Sequence, residues 1–167
     1  MNAELTAISI AMFSTFAAFA TALVNYLQSR HTKKTLQAQI ITDFSERYAQ
    51  DSMDEAIQEM KHFYFAHSED VAGAWTELRD KNQEEFKRLF KMRRRINRYY
   101  RDIYKLIMAK AIDRRTARYV LNDFTLNLFY QVIIPVSYVT TRNPSLYKHM
   151  ERTFRRILPK YGEGIIV

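Results

Sequence analysis

Apolar positions along the chain change spacing from one region to the next, and each spacing predicts an element. From Leu5 to Ser29 no residue is charged, and "LTAISIAMFSTFAAFATALV" supplies mostly apolar side chains. Its length is the ~20 residues that a helix needs to cross the hydrocarbon of a bilayer. No Gly or Pro follows before Ala72, and Leu36, Ile40, Phe44 and Tyr48 repeat as an i, i+4 stripe. That spacing predicts one helix running on from the apolar stretch. Asp51-Ser52 should break it. Ser52 with Glu55 has the spacing of a capping box, opening a second helix with Met53, Ala56, Ile57, Met60 and Tyr64 inward.

"SEDVAGAW" reads as a short irregular or helical connection in which Trp75 plugs the core. A long helix is predicted from Gln83 to Lys110. Asp113 can cap the next, whose stretch from Phe124 to Thr141 carries no charge. Asn127, Gln131 and Pro135 interrupt that stretch, so it reads as the surrounded central helix of a bundle rather than a second span. Asn143-Pro144 supplies an N-cap followed by proline at the first helical position, and "SLYKHMERTFRRIL" is then the last helix, ended by Pro159 and Gly162.

The pattern predicts an all-α protein: one N-terminal transmembrane helix over 1–29, continuing into a cytoplasmic bundle of about four to five helices over 30–167. Tyr26 sits where an interfacial aromatic belongs. Arg30, His31, Lys33 and Lys34 follow the span, whereas Glu4 precedes it. The positive-inside rule then puts the N-terminus outside and the C-terminal domain in the cytoplasm, a single-pass arrangement fitting a bacterial inner membrane. "AFA" at 18–20 resembles a signal-peptide cleavage site, but the basic n-region is missing and the basic cluster lies on the wrong side. Within the span, Ala7–Ala11–Thr15 and Ser14–Ala18–Ala22 form rows of small residues. Such rows let backbones approach, so Ala7, Ala11, Ser14, Ala18 and Ala22 are candidates for packing against another span, of a partner or of a second copy.

Composition sharpens this picture. The 167 residues include only three glycines, three prolines and no cysteine. Few breakers agree with long helices, and the missing cysteines remove disulfides, thiolate metal sites and thiol nucleophiles. The net charge of +8 is concentrated: between Arg79 and Arg118 stand fifteen Lys/Arg against five Asp/Glu. A basic region of this kind favours acidic partners.

Candidate chemistry is sparse. Glu59 and His62 form an E-x-x-H, but a di-iron bundle needs two such motifs and further glutamates, and no second one exists. His31, His67 and His149 stand singly, without a neighbouring nucleophile. Three scattered glycines cannot build a phosphate loop, and no nucleophile elbow occurs. The sequence therefore predicts no catalytic residue, metal, cofactor or small-molecule substrate.

The long basic helix carries the remaining signal. Phe86, Leu89, Phe90, Ile96, Tyr100, Ile103, Tyr104 and Ile107 gather on one arc at 100° per residue. Lys87, Lys91, Arg94, Arg98, Arg101 and Lys105 form a continuous row on the other side. A solvated face is the commonest fate of such a row. Anionic lipid or an acidic protein comes next, and nucleic acid last, because the tyrosines lie on the core arc rather than as stacking platforms. Arg93 and Asn97 fall in the middle of the apolar arc. A buried guanidinium needs partners, and Asp123, the lone acid on the most apolar helix, is the expected one for a buried structural ion pair.

"QAQIITDFSERYAQDSMDEAIQEM", "RRRINRYYRDIYKL" and "LNLFYQVIIP", which cover most of residues 37–135, resemble a family of uncharacterised small bacterial single-pass membrane proteins. That resemblance implies an N-terminal anchor and a helical domain and adds no functional residue. The function expected is a non-enzymatic, membrane-anchored interaction protein, an accessory subunit or scaffold. The alternative is a module whose basic helix binds a polyanion, anionic lipid headgroups before nucleic acid.

Overall fold

The computed structural model describes the backbone of residues 2–121, 123–141 and 143–158, and side chains within these ranges except those of 2–13, 123 and 124. Every described element is helical: α1 (Asn2–Tyr48), α2 (Asp51–Ala66), α3 (Val71–Lys81), α4 (Gln83–Met108), α5 (Arg114–Val120), α6 (Asp123–Leu128), a π-helical turn (Phe129–Ile133), α7 (Ile134–Thr140) and α8 (Pro144–Ile157). The chain divides into two compact units, Met1–Ile40 and Ile41–Val167.

In the first unit the uninterrupted helix forms as predicted. Thr21, Thr32 and Thr35 each donate a hydroxyl hydrogen bond to the carbonyl four residues back, at 2.8, 2.9 and 3.2 Å. Among the described residues no helix is long and apolar enough to cross a membrane. The stretch expected to span a bilayer is helical from Asn2, and its side chains are described from Ser14 onward. Ser14, Ala18 and Ala22 are exposed on it; Ala7 and Ala11 lie outside the described side chains.

In the second unit the end of α1 joins a bundle built around α4. Asp70, Asn82, Asp113 and Asn143 cap α3, α4, α5 and α8 by accepting from Gly73, Glu85, Thr116 and Leu146 backbone N–H groups at 2.8, 3.2, 2.8 and 3.4 Å. Gly73 leaves room for the first cap, since a Cβ there would fall 2.0 Å from the Asp70 carboxylate. The capping box expected at Ser52 and Glu55 does not form. Helix α2 starts two residues earlier than a Ser52 cap would place it, with Gln50 at its N-cap and no side-chain cap bond.

The helix predicted beyond Asp113 is divided, so the bundle holds more segments than four to five. Leu121 is extended and nearly fully buried, and the helix does not run on through it. Further on, Pro135 has no N–H to donate and its ring would press on the carbonyl of Gln131. The chain widens there into the π turn, in which the Ile134 N–H reaches back to the Phe129 carbonyl.

Aromatic rings knit the core. Tyr100, Phe129 and Phe154 meet with centroids 4.5 to 6.0 Å apart. Trp75, fully buried as expected, stands edge-on to Phe63 at 5.5 Å and beside Phe86 at 5.5 Å. Phe44 and Tyr48 of α1 pack on Tyr99, whereas Leu36 of the same stripe is exposed. The Tyr100 hydroxyl shares Thr125 with Tyr48, and Tyr99 donates to the Val120 carbonyl at 2.6 Å.

Burial pushes the Tyr99, Tyr100 and Tyr130 hydroxyls above the ordinary value of 10.0. In the unfolded chain they ionise near pH ~10. Above that pH the folded state retains protons that the unfolded state releases, so this stabilisation is complete below pH ~10 and falls as the pH rises. The unfolding free energy from urea titrations taken from pH 9 to 11 should decline, by up to about 1.4 kcal/mol per pH unit for each such group. Tyr99→Phe should make the decline shallower.

Candidate basic face and its clefts

Helix α4 has the composition of a two-sided element, and its sides separate cleanly. Leu89, Met92, Ile96, Tyr99, Tyr100 and Ile103 are buried, while Phe86, Phe90, Tyr104 and Ile107 are partly covered. On the opposite side Lys87, Lys91, Arg94, Arg98, Arg101 and Lys105 are all exposed. Lys105 approaches Asp102 at 3.6 Å. Among the described residues the other five have no ion-pair partner. A row of long cationic side chains, uncompensated and solvated, projects a positive field that exposed pairs would have cancelled.

Two concavities interrupt this face. The larger, of about 600 Å³, lies where the end of α1 and the start of α2 meet α4, and it is lined by Arg47, Ser52, Arg95, Arg98 and Asp102 among others. The smaller, of about 240 Å³, is lined by Arg94, Asn97, Arg98, Arg101, Asp102 and Lys105. Arg98 and Asp102 belong to both. Arg95 is half-buried and donates to the Ser52 carbonyl, which holds its guanidinium in place. Arg47 lies 4.0 Å from Asp102 and over the Phe44 ring at 5.5 Å. Neither Arg47 nor Arg95 belongs to the row predicted from spacing. Arg95 is out of register with it, and Arg47 comes from another helix, so only packing brings the two together.

Arg93 is buried, as its place on the apolar arc predicts, with 7% of its surface exposed. Its guanidinium donates to Ser137 Oγ at 3.1 Å and Thr140 Oγ1 at 3.3 Å. It also stacks over Trp75 and Phe90 at 5.6 and 5.3 Å. Burial pushes it below the ordinary arginine value, and Tyr147 acts the other way. The Asp123 side chain, expected as its partner, lies outside the described residues. Asn97 is satisfied on one side by Tyr147, its amide donating to the phenol oxygen at 2.9 Å. The spacing of α4 marked Arg93 and Asn97; nothing in the apolar run 124–141 marked Ser137 and Thr140 as acceptors.

The remaining candidates stay apart. The Glu59 carboxylate pairs with Arg88 at 2.6 Å, and His62 is exposed. His31, His67 and His149 are exposed on separate helices or turns. Among the described residues no three His, Cys, Asp or Glu side chains come together in a way that could hold a metal ion. No family model, curated protein or solved structure matches the chain.

Proposed function

We propose that the chain is a non-enzymatic helical interaction protein, held at a membrane by its first helix, that presents the basic face of α4 to an acidic partner. An accessory subunit or scaffold of a membrane complex is the role this implies. The observation that carries the reading is the basic row itself: six exposed cations in register, five without an ion-pair partner among the described residues. Interfaces use such complementarity to steer encounter and to fix register.

The anchor is part of the same reading. Phe16, Phe19, Leu23, Val24, Tyr26 and Leu27 are 49–72% exposed on α1, an apolar surface that lipid would cover. The Thr21 hydroxyl finds its acceptor inside its own helix, as polar groups within hydrocarbon must. Arg30, His31, Lys33 and Lys34 then mark the cytoplasmic side.

The test is retention of a partner after gentle detergent extraction of the full chain. Lys91→Glu, Arg94→Glu and Arg101→Glu together should release a stoichiometric partner, and raised salt should do the same, without shifting the melting temperature. A partner held equally by the triple variant, or a chain that extracts alone, overturns the reading. A second reading, a polyanion-binding module, is favoured by the two arginine-lined clefts. Near an anionic surface each basic side chain contributes on the order of 1 kcal/mol, so the row would hold the bundle against headgroups.

A further inference from the structure

The larger cleft differs from the rest of the basic face in ways that a merely solvated row would not. Three guanidiniums, from Arg47, Arg95 and Arg98, line one concavity of about 600 Å³ in which Asp102 is the single carboxylate among the described residues. That carboxylate is already shared, at 4.0 Å from Arg47 and 3.6 Å from Lys105. Gathering like charges in a recess is unfavourable unless a counter-charge enters it. Arg95 is the fixed member, held by the Ser52 carbonyl, while Arg98 makes no ion pair among the described residues. The floor adds Gln50 and Ser52, at an α2 start that lacks a side-chain cap. The acids of that first turn, Asp51 and Asp54, are exposed and do not line the cleft.

The geometry points to a binding site for a phosphate-bearing anion in the cleft formed by Arg47, Arg95 and Arg98; this rests on the polyanion reading. Guanidinium forks match phosphate oxygens in pairs, which lysines on a flat row do not. The recess exceeds what one phosphate fills, and Arg98 also walls the neighbouring pit with Arg94 and Arg101. A ligand with a second oxyanion, or with phosphate on a larger group, therefore fits better than an isolated ion. Both a phosphomonoester lipid headgroup and a soluble phosphate compound present this chemistry.

The full chain in detergent micelles is titrated with two probes, inorganic pyrophosphate and phosphatidic acid in mixed micelles. Sodium chloride at matched ionic strength and phosphatidylcholine micelles serve as controls. Binding is read by calorimetry and by the rise in melting temperature. Arg47→Gln with Arg98→Gln is expected to weaken binding about tenfold or more, the loss of charge-assisted hydrogen bonds. Lys87→Gln with Lys91→Gln removes the same charge from the same face outside both clefts, and should change affinity less than about threefold, since only screened exposed charge is lost.

Binding confined to phosphatidic acid assigns a lipid headgroup, and binding of pyrophosphate without phosphatidic acid assigns a soluble ligand. Either supports the site. Equal losses from the two pairs of substitutions overturn the cleft and leave a diffuse basic face standing. Binding of neither probe above the controls removes both the cleft and the polyanion reading.

Discussion

Phe154→Ala is expected to lower the free energy of unfolding by about 3–5 kcal/mol, a large share of what a domain of this size possesses. Phe154 is fully buried, and its ring meets Tyr100, Tyr104 and Phe129. The cavity left by truncation cannot close easily. Tyr100 is pinned by its hydrogen bond to Thr125, and Phe129 opens the π turn that Pro135 imposes. Phe154 also belongs to the inner face of α8, which consists of Tyr147, Met150, Phe154 and Ile157. Urea unfolding of the full chain in detergent checks the prediction through a lower midpoint at unchanged slope. Phe65→Ala, at a side chain 54% exposed, should stay within about 0.5 kcal/mol of the parent. Should the alanine variant not fold, Phe154→Leu ought to show a smaller loss, because more of the ring's volume is retained.

How far the sequence foretold this core depends on whether the signal was local. Spacing within one helix identified the buried arc of α4, the exposed row opposite it and the intruding Arg93. All three follow from 100° per residue and need no knowledge of neighbours. Caps at Asp113 and Asn143 were legible for the same reason. The box at Ser52 failed because α2 begins at Asp51 with Gln50 at its N-cap, which puts Ser52 inside the first turn rather than at the cap. Pro135 was visible as an interruption. Its consequence, a widened turn rather than a stop, depends on neighbouring segments that keep the chain helical on both sides.

The clefts were not legible. Arg47 and Arg98 are far apart in sequence, and their meeting depends on how the end of α1 packs on α4 through Phe44 and Tyr99. A row read from one helix is a line of charge, whereas a recess requires a second wall. The acceptors of Arg93 escaped for a related reason. Ser137 and Thr140 sit in a stretch whose apolar neighbours dominate any hydropathy reading, and hydroxyls in a helix ordinarily bond their own backbone. Both do so here, Ser137 to the Ile133 carbonyl at 2.5 Å and Thr140 to the Val136 carbonyl at 2.7 Å, while also accepting from Arg93.

That double engagement fixes the second large prediction. Ser137→Ala with Thr140→Ala is expected to cost about 3 kcal/mol, because it leaves a buried guanidinium without its two acceptors. Arg93→Met should cost less than about 1 kcal/mol or even stabilise. The two hydroxyls keep their backbone acceptors, the methionine stem still packs against Trp75 and Phe90, and an expensive buried charge disappears. Loss of the cation–π contacts, about 1–2 kcal/mol, works against this and sets the limit of the gain. The ordering of the two variants, measured by urea unfolding, is therefore the informative quantity. It also decides the Arg93–Asp123 pairing. If that carboxylate holds the guanidinium, Arg93→Met strands a buried anion and costs about 3 kcal/mol or more, reversing the order. A near-neutral Arg93→Met leaves the hydroxyl pair of α7 as the holder of the charge.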